Sequence, residues 1–368
     1  MKKKLRIATM VSGQFTTPPP FGVIYAPMDV ATDIAIGLTD RGHQVTFFGP
    51  EGTSIPGIRV ESAGLKPLRS KDGHHPILDL QGVRGGEMGK IHGLWDEYLI
   101  SKMYAAARKG EFDIVHVHPA DRAVALAMTA SGIPTVYTLH DPIFEWRAEI
   151  FRMFATPDQH FVSISDAQRK PAPDLNYIST IYNGLPVEGT QWSEEQGKYL
   201  LFVGRLIPEK GVAEAVEVAR LAGEKLIIAG PPTESPYWME KIAPHVDGDR
   251  VKFVGMQQKR ELRELYMNAK ATLFPVRWEE AFGLVMTESM SAGTPVLAFR
   301  RGSVPEVVTH KETGFIVDTV EEMAAAVKEI PKISRKACRE RVEKLFSVVA
   351  MVDGYEKAFL RLVERSLN

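Results

Sequence analysis

The stretch EEAFGLVMTESMSAGTPVLA, residues 279 to 298, carries Glu280 and Glu288 with an apolar, glycine-broken run between them. Gly283 stands where a tight loop could turn into a helix, and the apolar residues that follow would anchor that helix against a sheet. TPVLAF, residues 294 to 299, is typical of the buried strand that comes next. A helix followed by a strand is a unit of an α/β fold, and the N–H groups that begin such a helix attract an anion.

The same alternation of strands and helices runs through the whole chain and starts twice. Short β-branched runs, buried on both faces and separated by helices, indicate parallel sheets. The sequence therefore predicts an α/β protein of two doubly wound, Rossmann-like domains that face each other across a cleft, with ligands at the carboxyl ends of the strands. The predicted strands are residues 5–11, 44–49, 113–118, 134–140 and 160–165, and then 198–204, 225–230, 251–255, 271–276, 294–299 and 313–317.

A segment rich in glycine, proline and charge separates the two halves. Its sequence, NGLPVEGTQWSEEQG at 183 to 197, suits an exposed linker. We place the N-terminal domain at residues 1–190 and the C-terminal domain at residues 191–350. Within the first domain, residues 29–41 are predicted to form the first helix, and residues 62–93, which show no clear period, a long loop.

The composition excludes several classes of protein. With 44% hydrophobic and 25% charged residues, the chain is close to average globular usage. Forty-five Lys and Arg residues against 46 Asp and Glu argue against a nucleic-acid partner. The single cysteine, Cys338, fits a reducing compartment. The sequence contains no apolar run of about 18 residues, so it predicts no membrane-spanning helix. We predict a cytoplasmic protein with at most peripheral contact with the inner membrane face, and we interpret MKKKLRIATMV as a first strand.

GRLIPEKG, residues 204 to 211, follows the first predicted strand of the second domain. Arg205 and Lys210 stand at the carboxyl end of that strand, and Gly211 opens the helical pattern GVAEAVEVARLA. A planar guanidinium and a mobile ammonium beside a helix N-terminus suit a diphosphate. On this motif alone, two charged residues that solvate an ordinary loop are the simpler interpretation.

The two glutamates of residues 279 to 298 could bind the two ends of an extended ligand. If Glu280 precedes the helix and Glu288 lies within it, a rise of about 1.5 Å per residue separates them by roughly 12 Å. Each could accept hydrogen bonds from hydroxyl groups at one end of a nucleotide sugar, while helix amides hold the phosphates. Two surface glutamates that flank a core helix would have the same spacing. Glu279 is predicted to face solvent.

Together these motifs resemble glycosyltransferase family 4, whose members are retaining enzymes of the GT-B fold. The second domain contributes GRLIPEKG, FVG at 253 to 255 and the glutamate pair, and LTDRGHQVTFF, DIVHVH, YTLHD, SISDAQR and YNGLP match first-domain landmarks in the expected order. The resemblance thus covers nearly the whole chain. It implies an acceptor-side N-terminal domain, a donor-binding C-terminal domain, and a closing helix at residues 351–368 that packs back on the N-terminal domain.

The resemblance also implies roles for individual residues. Arg205 and Lys210 would bind the donor diphosphate, Glu288 the ribose, and Glu280 with nearby backbone amides the donor sugar. The implied donor-binding set is Gly22, Arg205, Lys210, Gly255, Met256, Glu280, Phe282, Gly283, Leu284 and Glu288. The implied catalytic set is His118, Glu280, Arg205 and Lys210, and the implied acceptor-side set is His140, Ser165 and Asn183.

Two features of the first domain bear on these roles. His116 and His118 are two residues apart in the strand DIVHVH, so both point to one face. By the family pattern His118 would steady sugar hydroxyls or assist the acceptor, and His116 is expected to be a hydrogen-bonded core residue. Family members commonly carry a Gly-Gly pair before the first helix, where this chain has Tyr25 and Ala26, with Gly22 close by.

No catalytic metal is predicted. A site formed by the strand histidines with His140 lacks a fitting carboxylate. Asp247 and Asp249 in VDGDR imitate the paired aspartates of metal-dependent transferases, but a solvated turn explains them better.

The sequence thus predicts a retaining glycosyltransferase that moves a hexosyl group from a UDP- or GDP-sugar to an acceptor hydroxyl by front-face substitution, without a metal or other cofactor. Its partners would be the nucleotide sugar and a saccharide, lipid-linked or small-molecule acceptor; neither the acceptor nor the oligomeric state is predicted. A nucleotide-sugar epimerase, which needs no acceptor, and a nucleotide-sugar-binding protein without turnover are alternatives. A dinucleotide oxidoreductase is disfavoured because no GxGxxG follows the first strand of either domain.

Overall fold

Two parallel sheets divide the chain into two units. The computed structural model describes residues 3–20, 23, 25–70, 73–79 and 85–365. The first unit contains the chain up to Ile164, Arg169–Gly184 and the chain from Val348 onward, and the second contains Ser165–Gln168 and Leu185–Ser347. The main change of unit falls after Gly184, whereas the sequence places the boundary after residue 190.

The first unit is built on a seven-stranded sheet. The strands of the first unit, including two that lie outside this sheet, are β1 (Arg6–Met10), β2 (Gln44–Phe48), β3 (Arg59–Glu61), β4 (Arg69–Ser70), β5 (Gly73–His74), β6 (Ile114–Val117), β7 (Thr135–Thr138), β8 (Gln159–Ser163) and β9 (Tyr177–Thr180). The sheet has the order β3-β2-β1-β6-β7-β8-β9 with parallel neighbours, and β4 and β5 form a separate antiparallel pair. The helices before the second unit are α1 (Ala26–Asp40), α2 (Gly85–Ala107), α3 (Ala120–Ala127), α4 (Glu145–Met153) and α5 (Asp166–Arg169).

An inner strand of this sheet, β1, contributes to two separate cores. Side chains alternate across a strand, so Ile7 and Met10 of β1 point to opposite faces. Ile7 belongs to a buried cluster with Ile34 of α1. Met10 belongs to a second cluster with Met103 of α2 and Val124 of α3. Burial on both faces explains why these strands read as continuous apolar runs.

The prediction of a long loop at residues 62–93 is wrong in its last part, because α2 begins at Gly85. Glycines in the first turns of α2 weaken the helical pattern, since glycine costs about 1 kcal/mol relative to alanine in a helix. Tertiary packing overrides that cost, since Leu99, Met103 and Tyr104 in later turns are fully buried. Neither this helix nor any other described helix is long and apolar enough to cross a membrane.

The second unit repeats the architecture with six parallel strands. They are β10 (Tyr199–Val203), β11 (Leu226–Ala229), β12 (Val251–Phe253), β13 (Ala269–Phe274), β14 (Val296–Phe299) and β15 (Gly314–Val317), in the order β12-β11-β10-β13-β14-β15. The helices are α6 (Val212–Ala222), α7 (Pro236–Lys241), α8 (Lys259–Asn268), α9 (Leu284–Ser291), α10 (Val304–Val307), α11 (Val320–Ala326) and α12 (Arg335–Leu345). All six strands predicted for this half of the chain are present.

Each sheet reverses its strand order beside its first strand. In the first unit β1 lies between β2 and β6, and in the second β10 lies between β11 and β13. At such a switch point the loops that follow the two adjacent strands leave on opposite faces and open a crevice at the carboxyl edge. The loops after β10 and β13 are the two that carry the charged motifs of the second unit.

The last helix, α13 (Val348–Arg365), belongs to the first unit and is tied to it by a buried carboxylate. Glu356 accepts from Arg41 Nη1 and from His43 Nε2, both at 3.3 Å. The Nδ1 atom of His43 accepts a hydrogen bond from the backbone N–H of Leu5 at 3.1 Å. The Nε2 atom therefore carries the hydrogen and donates the hydrogen bond to Glu356. The contact joins α13 to the turn between α1 and β2.

We expect Glu356→Ala to destabilise the first unit by about 1–3 kcal/mol, because Arg41 keeps its ion pair with Asp353 whereas the buried Nε2–H of His43 loses its acceptor. The free energy of unfolding, measured by denaturant titration, gives the test. Glu340→Ala is the matched control, since Glu340 is 60% exposed in its pair with Lys336 and such surface pairs contribute about 0–1 kcal/mol. Equal stability of the Glu356 and Glu340 variants would contradict the role of this contact.

Candidate functional site

The loop that follows β10 approaches the loop that follows β13. Residues Pro208–Lys210 form a short 3-10 turn, and Gly211 then starts α6 with φ of 75°. A Cβ atom on Gly211 would lie 2.0 Å from the carbonyl oxygen of Pro275. Only glycine allows this approach, which brings the side chains of the two loops within reach of each other.

An ion pair joins the two loops. Lys210 Nζ lies 2.5 Å from Oε2 of Glu280, and the two side chains are 19% and 13% exposed. By resemblance the sequence assigns Lys210 to the diphosphate and Glu280 to the sugar, and it does not predict a contact between them. The contact arises because the switch point places the ends of β10 and β13 side by side.

Trp278 is a site residue that the sequence does not identify. Its indole Nε1 donates to Oε2 of Glu280 at 2.9 Å. Lys210 Nζ lies 4.7 Å from the centroid of the indole ring, and the guanidinium carbon of the exposed Arg205 lies 6.0 Å from it. The available signal is a tryptophan two positions before Glu280 in a loop after a strand.

Backbone hydrogen bonds fix the loop that carries Glu280. The N–H of Ser303 donates to the Glu280 carbonyl at 3.0 Å, and the Ser303 hydroxyl donates to the Phe282 carbonyl at 2.7 Å. The N–H of Gly302 donates to Oε2 of Glu279 at 2.7 Å, so the exposed Glu279 also holds the loop. The Glu280 carboxylate therefore stands on a rigid support.

Gly283 starts α9, as predicted. Its φ of 78° is in the left-handed region, and a Cβ atom would lie 2.8 Å from Phe274 Cζ. The N–H groups of the first turn of a helix lack intrahelical acceptors and carry a partial positive charge. Leu284 is the first residue of the helix, so the amides that the sequence assigns to an anion stand directly after the Glu280 loop.

Glu288 lies within α9, as predicted, and is oriented by Tyr266 of α8. The Tyr266 hydroxyl donates to Oε2 of Glu288 at 2.9 Å. Burial first, and then the charge of Glu288, raises the pKa of Tyr266 well above its ordinary value, so this hydroxyl keeps its proton. Glu288 thus lies in the second turn of α9, whereas Glu280 precedes the helix.

Gly255 and Met256 follow β12, next to the loop after β11. The carbonyl of Gly255 accepts the N–H of Gly230 at 3.0 Å, so backbone rather than side chains forms this edge. Gly22 lies outside the described residues. Tyr25 caps α1 and Ala26 is its first residue, so the two residues in place of a glycine pair form a helix N-terminus.

Three histidines of the first unit form a cluster in which His116 and His118 are buried and His140 is partly buried. The rings of His116 and His118 have centroids 4.4 Å apart, which confirms that both point to one face of β6. His116 Nε2 lies 2.8 Å from Thr138 Oγ1, the core contact expected of it. His118 Nδ1 lies 2.8 Å from His140 Nε2, and among the described residues the buried Nε2 of His118 has no partner.

Burial keeps this cluster uncharged. It lowers the pKa of His116 to about 3, with His140 as a second cause, and the pKa of His140 to about 3, with Arg147 as a second cause. Burial and the two other imidazoles lower the pKa of His118 well below its ordinary value. Neutral imidazoles donate at one nitrogen and accept at the other, so the cluster can orient a hydroxyl group.

The other two acceptor-side residues occupy different places. Ser165 is buried, accepts the backbone N–H of Gln168 at 3.1 Å and is grouped with the second unit rather than the first. Asn183, in the first unit after β9, is buried, and its Oδ1 has no hydrogen-bond partner among the described residues.

The aspartates of VDGDR lie in a turn. Oδ1 of Asp247 accepts the backbone N–H groups of Asp249, Arg250 and Val251, which confirms the predicted turn. Within the part of the chain that the structure describes, no group of three or more His, Cys, Asp or Glu side chains could hold a metal ion.

Two doubly wound α/β units, with charged and histidine side chains at the carboxyl ends of their strands, have the architecture of the GT-B fold. A crystal structure of the Anabaena protein Alr3699/HepE in complex with UDP and glucose shares this fold with a TM-score of 0.68 and 18% identity, over 96% of this chain and 98% of that one.

The family descriptions "Glycosyl transferases group 1" and "Glycosyltransferase Family 4" match residues 190–345 and 29–188. The D-inositol 3-phosphate glycosyltransferase of Mycolicibacterium smegmatis is 30% identical over an alignment that covers 88% of this chain and 84% of that protein. The N-acetyl-alpha-D-glucosaminyl L-malate synthase of Bacillus anthracis is 26% identical over an alignment that covers 92% of this chain and 94% of that protein. The chain therefore belongs to the glycosyltransferases that these two family descriptions name, and it is a glycosyltransferase.

We expect the stability of the first unit to fall as the pH decreases from about 7.5 to about 6. The ordinary pKa of histidine in an unfolded chain is about 6.5, and the folded pKa of His116 and His140 is about 3, so the unfolded state binds more protons in this window. The stabilisation is complete above the unfolded pKa and is lost as the pH falls, by about 1 kcal/mol for each buried histidine near pH 6.

Denaturant titrations at the two pH values measure this loss. His116→Gln removes one titrating group and should reduce the pH dependence, whereas His245→Gln, at an exposed histidine of the second unit, should leave it unchanged. The window stops near pH 6 because burial raises the pKa of Asp96 to about 6, which gives the opposite slope at lower pH. A pH-independent midpoint in the wild-type protein would contradict the neutral cluster.

Proposed function

We propose that this glycosyltransferase moves a hexosyl group from a nucleoside-diphosphate sugar to an acceptor hydroxyl with retention of anomeric configuration. The donor would be a UDP- or GDP-sugar bound by the second unit. The observation that carries the proposal is the meeting of Arg205, Lys210 and Glu280 beside the N-terminus of α9, with Glu288 on the same helix. Alr3699/HepE, whose structures contain UDP or UDP-glucose, supports a nucleotide-sugar donor.

The chemistry of the transfer fits these groups. Breaking the bond between sugar and phosphate develops negative charge on the leaving diphosphate, and two cations with helix amides would stabilise that charge. Glu280 would accept hydrogen bonds from hydroxyl groups of the sugar, and Glu288 would accept them from hydroxyl groups of the ribose. Both carboxylates already accept hydrogen bonds from neighbouring donors, which suits binding better than nucleophilic attack.

We therefore propose front-face substitution, in which the leaving phosphate helps to deprotonate the acceptor hydroxyl. His118, with its buried and unpartnered Nε2 among the described residues, would orient a sugar hydroxyl as a catalytic group. His140 would fix the ring of His118 through their 2.8 Å contact. Ser165 and Asn183 would serve the acceptor.

The names of the relatives favour a transferase over the two alternatives. An epimerase would convert a nucleotide sugar without an acceptor, and a binding protein would release no nucleoside diphosphate. Incubation of the enzyme with UDP- and GDP-sugars, with and without candidate acceptors, separates the three. Release of nucleoside diphosphate that depends on an acceptor supports the proposal, and NMR of the product's anomeric proton decides its configuration; an inverted product would overturn the mechanism.

Lys210→Ala and Arg205→Ala are each expected to lower kcat/KM for the donor by about 100-fold or more, because each removes a cation that stabilises the developing phosphate charge. Steady-state kinetics measure the loss. Lys225→Ala and Arg220→Ala are matched controls, since those side chains are 59% and 63% exposed in ion pairs elsewhere in the second unit. Equal rates in a site variant and its control would contradict the diphosphate role.

A chelator is expected to leave the rate unchanged within about twofold, because Arg205, Lys210 and the helix amides supply the positive charge that a metal provides in other phosphate sites. The test compares initial rates in excess EDTA with rates in added Mg²⁺ or Mn²⁺. Inactivation by EDTA that a divalent cation reverses would overturn the metal-independent mechanism.

A further inference from the structure

Trp278 contacts the charged groups of the second unit in two different ways. Its indole Nε1 donates to Oε2 of Glu280 at 2.9 Å, the same oxygen that Lys210 Nζ reaches at 2.5 Å. The ring centroid lies 4.7 Å from Lys210 Nζ and 6.0 Å from the guanidinium carbon of Arg205. One partly buried side chain thus contacts the carboxylate with its edge and both cations with its ring.

The indole is not required to hold its own loop. Residues 279–282 are fixed by hydrogen bonds from the backbone of Gly302 and Ser303 and from the Ser303 hydroxyl. Trp278 is only partly buried, whereas Trp238 is a core residue with its ring 4.8 Å from that of Phe253. The contacts of Trp278 therefore act on the charges of the site rather than on the fold.

A donor diphosphate would compete with Glu280 for Lys210. Both side chains are largely shielded from water, and a shielded carboxylate that loses its cation without another donor is strongly destabilised. The indole N–H would remain on Glu280 after the ammonium moves to the phosphate. The ring is an additional favourable contact for the ammonium, because the face of an indole attracts cations.

We propose that Trp278 is a positioning residue for donor recognition, a role that rests on the proposed function. Its N–H holds the Glu280 carboxylate in place while Lys210 exchanges that carboxylate for the donor diphosphate. Glu280 then accepts hydrogen bonds from hydroxyl groups of the transferred sugar. An intact nucleotide sugar has these hydroxyl groups, and a nucleoside diphosphate lacks them. The N–H of Trp278 consequently contributes to binding of the intact donor more than to binding of the nucleoside diphosphate.

Two substitutions separate the edge of the indole from its ring. Trp278→Phe keeps a ring and removes the N–H, whereas Trp278→Leu removes both. Calorimetric titrations with UDP, GDP, UDP-glucose and GDP-mannose measure the affinities. Trp278→Phe should bind the nucleoside diphosphate within about threefold of the wild-type affinity and the intact donor about tenfold more weakly, the effect of one lost hydrogen bond to a charged group. Trp278→Leu should weaken both ligands.

Trp146→Phe is the matched control, because Trp146 is 60% exposed on α4 of the first unit. It should bind all ligands as the wild-type protein does. Thermal melts of each variant report on folding, and Trp278→Phe should melt within a few degrees of the wild type, about the shift for 1 kcal/mol or less in a chain of this size. A merely structural role would instead lower the melting temperature and weaken both classes of ligand equally, which overturns the proposal.

The outcomes distinguish this role from the proposed function. If the wild-type protein binds none of the four nucleotides, both are overturned. If it binds the intact donor and Trp278→Phe binds it equally well, only the role of Trp278 is overturned. The wild-type protein gives an independent measurement by NMR: at least one of its five tryptophan indole N–H signals should shift on saturation with the intact donor, and five unchanged signals would overturn the role.

Discussion

The second unit depends on the close approach of two loops at the switch point of its sheet. Gly211 lies so near the Pro275 carbonyl that no side chain fits between them. This approach follows from the strand order, because β10 and β13 are direct neighbours although 65 residues, 204–268, lie between the end of one strand and the start of the other. Lys210 and Glu280 meet for the same reason.

The ion pair makes the site ready for an anion without an excess of charge around Glu280. Lys210 neutralises the carboxylate in the free protein, and Arg205 remains exposed beside the same indole ring. A diphosphate that binds here would meet the exposed guanidinium of Arg205. It could also bind Lys210, which would exchange the Glu280 carboxylate for the phosphate. The helix amides after Gly283 are fixed in advance, so their dipoles need no reorganisation when the ligand binds.

The fold and the local structure of the site were largely predictable, because they depend on short-range patterns. Apolar runs gave the six strands of the second sheet and five of the seven strands of the first, but not its edge strands β3 and β9, none of whose residues is fully buried. Gly283 followed by apolar residues gave the start of α9 with Glu288 inside it. The beginning of α2 was not predictable, since its glycines oppose a helix and only the burial of residues such as Leu99 stabilises it.

The features of the site that could not be predicted are contacts between segments that lie far apart in the sequence. Trp278 in the sequence is one aromatic residue in a loop, and its hydrogen bond to Glu280 depends on a χ angle and on the backbone bonds from Ser303. Likewise, no periodicity brings Ser165 into the second unit or pairs Lys210 with Glu280. Such contacts require the strand order and the rotamers, which local propensity does not determine.

The histidine cluster shows the same dependence in the first unit, where the last helix supports a strand end far away in sequence. The hydroxyl of Tyr355 lies 2.8 Å from Thr138 Oγ1, which lies 2.8 Å from His116 Nε2. The ring of His116 contacts that of His118, so a chain of contacts runs from α13 to the imidazole that we propose for catalysis. Because burial keeps the hydroxyl of Tyr355 protonated by raising its pKa, this chain consists of neutral groups. Because the rings of Tyr355 and Phe359 pack against His116, α13 contributes to the burial that keeps His116 uncharged.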